Sequence, residues 1–431
     1  MNPFDKTVPS GQPEQTGLFP GPSPKREGPD SGHIPAGCAV SGIFSRDGKR
    51  RSGDDIIRSI ALMHERSNGL GGGFAAYGIY PEYKDYYALH VFYDDMDARA
   101  ECEKFIFGHF AVIHSEGIPT RKVAAIREKP LIWRYFVLPS HEKLYTSGLG
   151  EDEFTAKCVF RVNTTCRGAF IFSSGKNMGC FKAVGYPEDV GEFYRLEEYR
   201  AYLWTAHGRY PTNTPGWWGG AHPFSLLDLS VVHNGEISSY DANRRTAEMF
   251  GYKCTLLTDT EVITYLLDYL TRREGLTFAE AAEVIAAPFW SEIDRMDKET
   301  RARLTYFRTA FPSMLVTGPF SILVGFDGGI MALNDRLKLR SMVVGEKGND
   351  VYFASEESAI RLIEPELDRV FSPRGGEAVI YTLDRLPGEG TSDRTAPDGR
   401  KAPGGDERDH TVPGAVTRAE RQRREGGEYH A

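Results

Sequence analysis

The strongest constraint on how this chain can fold is an abrupt change of composition at Cys38. Residues 1–37 hold eight prolines and six glycines with no apolar periodicity. Such a stretch cannot bury enough surface to offset the entropy of ordering it, so it reads as a disordered leader. It also lacks the apolar centre of a secretory signal peptide. Directly after it, Cys38-Ala39-Val40-Ser41-Gly42-Ile43-Phe44 is a short apolar run closed by Arg46-Asp47-Gly48. That pattern predicts a strand buried on both faces, with a cysteine at its head.

The other end changes in the opposite sense. Residues 386–431 are rich in Gly, Pro, Asp and Arg, with Arg418, Arg421, Arg423 and Arg424 close together, and read as a solvated, disordered tail. The folded part is then 38–385, taken as one domain. Its composition excludes several classes of function. With 52 Lys+Arg against 60 Asp+Glu the net charge is -8, which gives no broad footprint for nucleic acid. No apolar run reaches the roughly 20 residues that span a bilayer, so no membrane role is expected. Six cysteines without a C-x-x-C pair are too sparse for a disulfide scaffold and do not suggest a metal or iron–sulfur site. Reduced thiols of a cytoplasmic protein are the expectation, five of them as small buried side chains. No cofactor is implied.

Periodicity supplies the elements. Helices are predicted over 54–67, 97–115, 190–199, 240–250, 259–273 and 277–286, the first running into a glycine turn at 69–73. Strands are predicted at 75–80, 87–93, 122–127, 132–138, 158–162, 169–172, 202–207, 229–233, 320–326, 329–333, 341–344, 351–354 and 378–382. Strands so numerous and so close favour an α+β class, with layered antiparallel sheets and helices outside, over a parallel wind.

Three later segments carry chemistry. Thr205-Ala206-His207-Gly208-Arg209-Tyr210-Pro211-Thr212-Asn213 leads a strand into a loop of polar groups, prolines and aromatics that closes with Ala221-His222-Pro223. Val232-His233-Asn234-Gly235-Glu236 ends a buried strand on a side-chain amide followed by glycine, a pair able to form an oxyanion hole. Thr258-Asp259-Thr260-Glu261 has the spacing of a capping box, with Asp259 in the first helical turn. Singly each has an ordinary reading: a surface arginine, a hairpin turn, a helix start. His207 and His233 read as strand-end histidines with structural hydrogen bonds.

Taken in order after the strand headed by Cys38, these segments resemble the glutaminase domain of the class II glutamine amidotransferases, which carry an N-terminal nucleophile. Ser174-Gly175-Lys176-Asn177-Met178-Gly179 and Trp217-Trp218-Gly219-Gly220 are most similar to the GlxB-like glutaminase subunits of glutamate synthase-type systems. The resemblance implies a four-layer αββα sandwich of antiparallel sheets. It implies that Cys38 is the nucleophile, with its own freed α-amine as base, and that Asn234 and the Gly235 N–H hold the oxyanion. It further implies that Arg209 reads the carboxylate of L-glutamine and Asp259 its ammonium, with Tyr210, Thr212 and His222 shaping the pocket.

The chain departs from the family pattern in two ways: Ala39 follows the cysteine where glycine is common, and a leader precedes it. Activity then requires removal of residues 1–37. The segment at about 80–203 is longer than a minimal glutaminase needs. The expected activity is release of ammonia to a separate synthase, such as an FMN-dependent glutamate synthase-like subunit, an expectation drawn from the lack of any acceptor domain after the glutaminase region. The alternative is a non-catalytic, glutamine-binding scaffold that keeps its leader.

Overall fold

The structure, a computed structural model, describes residues 37–210 and 216–384. The expected tail, nearly all of the leader and Thr212 lie outside the described residues. Two antiparallel sheets form the centre. The first has seven strands, in the order Arg369–Phe371, Val343–Lys347, Asp350–Ala354, Ala39–Ser45, Leu203–Gly208, Gly72–Tyr77, Met178–Ala183. The second has five, in the order Phe224–Leu226, Leu229–Gly235, Phe320–Phe326, Gly329–Asn334, Val379–Thr382.

Strand alternation explains how the sheets stack. In the second sheet Val232, Leu323, Ile330 and Ala332 share one core with Val40, Val351 and Phe353 of the first sheet. Their alternate neighbours Val231, Ile322, Val324, Met331 and Leu333 instead share a core with Val262, Ile263 and Leu266 of the helix Asp259–Asp268. A period of two thus sends one face to the other sheet and one to a helix. Gly42 marks how closely the sheets approach: a Cβ there would stand 3.1 Å from Leu323 and 3.4 Å from Ile330.

Helices cover both outer faces. Asp54–Ala61 lies on the strands Ala39–Ser45 and Leu203–Gly208, and Pro187–Phe193 lies on Gly72–Tyr77. Asp259–Asp268 lies on Leu229–Gly235, and Tyr240–Met249 packs against that helix. The result is the α+β, four-layer αββα antiparallel sandwich that the resemblance implies.

The segment at about 80–203 contributes a third antiparallel sheet, in the order Phe110–Gly117, Leu131–Pro139, Tyr87–Tyr93, Ala169–Ser173. It is fastened to the second sheet by the Ser225 hydroxyl, which donates to the Phe172 carbonyl at 3.0 Å, and by the Leu227 N–H, which donates to Ser174 Oγ at 3.0 Å.

Several expectations are corrected. Residues 158–162 are not a strand but part of the helix Glu151–Thr165. A short apolar run fits a buried helix turn as well as a strand, and here Glu151, Asp152 and Glu153 at the helix N-terminus favour the helix. Residues 122–127 are a loop. The helix expected over 97–115 ends at His109 and continues as the strand Phe110–Gly117. The glycine turn is shorter than expected, because Gly72 and Gly73 already belong to a strand. Cys166 is partly exposed, whereas Cys102, Cys158, Cys180 and Cys254 are buried. Among the described residues no helix is long and apolar enough to cross a membrane.

Candidate active site

Cys38 stands one residue before the strand Ala39–Ser45, whose register pairs Ala39 with Gly208. One further antiparallel step brings Cys38 level with Arg209. The backbone N–H of Tyr210 donates to Cys38 Sγ at 3.3 Å, and Arg66 Nε donates to the Cys38 carbonyl at 3.4 Å. Burial raises the thiol's pKa, and the Tyr210 N–H and the Arg209 charge offset only part of the rise. A buried thiol of this kind needs a base before it can attack.

Asn234 belongs to the same face of its strand as Val232, the face turned to the first sheet, so its amide points toward Cys38. Among the described residues neither Asn234 Nδ2 nor Oδ1 has a hydrogen-bond partner, and the residue is 1% exposed. An unpaired buried amide costs about 1–3 kcal/mol; Asn334 is buried with both amide atoms open too, but Asn234 alone of the two lines the cavity. Gly235 follows at φ +152, and a Cβ there would lie 2.1 Å from the Pro319 carbonyl oxygen, so only glycine fits.

His233, one residue earlier, faces the opposite way, toward the helix Asp259–Asp268. Its Nδ1 lies 3.1 Å from Thr260 Oγ1 and 3.5 Å from Asp259 Oδ1. Asp259 Oδ2 accepts the Ile237 N–H at 3.0 Å. Burial pushes the Asp259 carboxyl up, but His233, the Ile237 N–H and Thr260 more than offset it and hold the pKa at about 2. Asp259 is therefore a fixed anion.

The Thr260 hydroxyl also meets His222 Nε2 at 2.8 Å, and the His222 ring stacks on His207 at 3.8 Å. Burial, helped by neighbouring positive groups, pushes His222 far below the ordinary histidine range, so it is neutral. Lys182 fixes the approach to His222: its buried Nζ donates to the Gly219 carbonyl at 2.9 Å and the Pro223 carbonyl at 3.2 Å.

The expected capping box at Thr258 does not form; the Thr258 side chain caps nothing. The Glu261 carboxylate instead accepts the N–H groups of Thr255 at 3.1 Å and Leu256 at 2.9 Å. It thereby shapes the turn that precedes Asp259 rather than the helix start itself.

These groups enclose one cavity of about 320 Å³. It brings together Cys38, Arg209, Tyr210, His222, Asn234, Gly235 and Asp259, which is every expected site residue within the described part of the chain. Arg209 is 4% exposed and Asp259 partly buried, so the pocket presents a buried cation and a half-buried anion as well as a thiol and an amide. The cavity is also lined by residues that sequence reasoning did not place in the site, among them Thr260, His233 and Arg340. Thr260 lay inside a segment already singled out, and His233 beside the expected amide. Arg340 had no local signal. Among the described residues no cluster of His, Cys, Asp or Glu could hold a metal ion.

The family model for class II glutamine amidotransferases matches residues 123–370. An uncharacterized protein of Archaeoglobus fulgidus is 50% identical over 358 residues, 82% of this chain and 94% of that protein. An amidophosphoribosyltransferase of Methanocaldococcus jannaschii is 27% identical over 222 residues, 49% of this chain and 41% of the relative. The glutamine amidotransferase-like protein GlxB of Rhizobium meliloti is 26% identical over 217 residues, 50% of this chain and 62% of the relative. The match thus spans less than two thirds of the length of the last two.

Proposed function

We propose, from the premise that this chain belongs to the class II glutamine amidotransferases, that it hydrolyses L-glutamine to glutamate and ammonia through a thioester on Cys38. The observation that carries the reading is the convergence of Cys38, Asn234, Gly235, Arg209 and Asp259 on one cavity. A free amino acid presents a carboxylate and an ammonium, and a buried Arg209 with an anionic Asp259 offers the complementary pair. The side-chain carboxamide then reaches Cys38.

In the first step Cys38 Sγ bonds to the amide carbon, and the carbonyl oxygen becomes an oxyanion held by Asn234 Nδ2 and the Gly235 N–H. The thiol proton passes through the α-amine of Cys38 to the leaving nitrogen, the C–N bond breaks and ammonia departs. Water then attacks the thioester, and glutamate leaves as the thiol re-forms. Tyr210 contributes its backbone N–H, which steadies Sγ, and His222 a neutral wall. Thr212 belongs to the same loop by sequence.

The α-amine can serve as base only after the Gly37–Cys38 peptide is cut. We therefore take residues 1–37 as a propeptide, 38–385 as the working domain and 386–431 as a tail. The ammonia acceptor in this reading is a separate synthase, an FMN-dependent glutamate synthase-like subunit. The peptide bond that ties the Cys38 nitrogen to Gly37 in the uncut chain favours one second reading, a glutamine-binding scaffold without turnover. Ammonia release from glutamine, measured together with intact mass, decides between them. The enzyme reading expects loss of residues 1–37 and hydrolysis that Cys38→Ala abolishes. A full-length chain that binds glutamine without releasing ammonia supports the scaffold.

A further inference from the structure

We infer that Arg340 is a positioning residue that favours the anionic forms of the nucleophile, first the Cys38 thiolate and then the oxyanion that follows it. The inference rests on Cys38 being that nucleophile. Arg340 lines the cavity together with Cys38 and Asn234. A side chain at position 37 would meet the Arg340 guanidinium at 3.8 Å, that of Arg66 at 3.5 Å and Asn234 Oδ1 at 4.0 Å. Two guanidiniums and the oxyanion amide therefore surround the residue bonded to the Cys38 nitrogen.

The two arginines differ in their partners. Arg66 pairs with Glu356 at 2.9 Å and donates to the Cys38 carbonyl. Arg340 has no ion-pair partner among the described residues, and its Nε is buried without a hydrogen bond.

Counting fixed charges around Cys38 shows what the Arg340 charge can do. Arg209 and Arg340 are the lining cations and Asp259 and Glu236 the lining carboxylates, Asp259 partly buried and Glu236 exposed at the rim, where solvent screens it. His222 is neutral, and His233 is turned toward Asp259 and Thr260. Zwitterionic glutamine adds no net charge, so its binding leaves the Arg340 charge beside Cys38 in place. A thiolate or a tetrahedral oxyanion at Cys38 is attracted by it. A charge arranged to be neutralised at that moment stabilises the transition state more than the bound substrate. The same guanidiniums would also disfavour protonation of a freed Cys38 amine, keeping it in its basic form.

The test is alkylation of Cys38 by iodoacetamide as a function of pH, in the full chain as expressed, read on the Cys38 peptide by mass spectrometry. Arg340→Gln is expected to raise the midpoint by about one pH unit, which slows alkylation about tenfold below it. Arg340→Lys, which keeps the charge, should stay close to the parent and serves where the Gln variant folds poorly. In turnover, Arg340→Gln should lower kcat about tenfold with KM for glutamine within about twofold. An unchanged midpoint in Arg340→Gln overturns the inference, as does a rise in KM with kcat unaltered. Cys38→Ala separates the two levels: hydrolysis surviving in that variant overturns the nucleophile reading itself. An inactive Cys38→Ala with an unmoved Arg340→Gln midpoint overturns only the role of Arg340.

Discussion

The pocket end of the sandwich and the inserted third sheet both bury histidine, but His90 in the sheet and the pocket side chains are finished differently. In the third sheet His90 uses both ring nitrogens, Nε2 with the Tyr80 hydroxyl at 2.9 Å and Nδ1 with the Cys180 carbonyl at 2.9 Å. In the pocket, among the described residues, Asn234 has neither amide atom paired, and His222 Nδ1 and His233 Nε2 are likewise without partners. Closed hydrogen bonding rigidifies a core, whereas buried groups left open cost stability unless a ligand completes them. In the proposed reading, His90 is a polar group that holds the fold and Asn234, open at the cavity, one that a substrate completes.

The comparison can be broken by substitution, and the largest effect should come from the open amide. Asn234→Ala is expected to lower kcat about 100- to 1,000-fold with KM changed less than about threefold. Steady-state ammonia release checks it, and an unaltered kcat would place Asn234 with His90. Arg209→Ala should raise KM for glutamine about 100-fold, because it removes the charged partner of the carboxylate; isothermal titration separates that loss from a loss of turnover. His90→Phe should do the reverse, costing about 1–3 kcal/mol in denaturant unfolding through its stranded partners while leaving kcat and KM within about twofold.

Acid sensitivity sharpens the same contrast. Burial pushes His90 from 6.5 down to about 3. Between those values the unfolded chain binds the proton that the folded chain refuses, so this stability is complete above 6.5 and is lost as pH falls toward 3. His207 behaves alike, from the same cause. Unfolding titrations should therefore show a shallower acid limb in His90→Phe than in the parent. The smallest effect is expected at Ile113, 49% exposed on the outer strand of the third sheet, where Ile113→Lys should change stability by less than about 0.5 kcal/mol.

Much of the sandwich was legible because its strands are short, apolar and punctuated by turn residues. The strand predicted at 87–93 forms with the same bounds, as Tyr87–Tyr93. The inserted region was harder, because the run at 158–162 carries burial without a period that distinguishes helix from strand. The site was legible where chemistry clusters in sequence, at Arg209–Tyr210, Asn234–Gly235 and Asp259. It was illegible at Arg340, whose place depends on a loop that Asp335 organises by accepting the Leu337 and Leu339 N–H groups, each at 2.9 Å. No local pattern announces that a residue so distant from Cys38 in sequence will share its cavity.

The central claim is that this cavity makes a thioester on its cysteine. Rapid acid quench of the full chain during glutamine turnover, followed by peptide mass mapping, tests it most directly. The account predicts a γ-glutamyl group on Cys38, present only with glutamine and absent in Cys38→Ala. Ammonia release at the parent rate with no acyl group on Cys38, and none gained when the hydrolytic step is slowed, would contradict it.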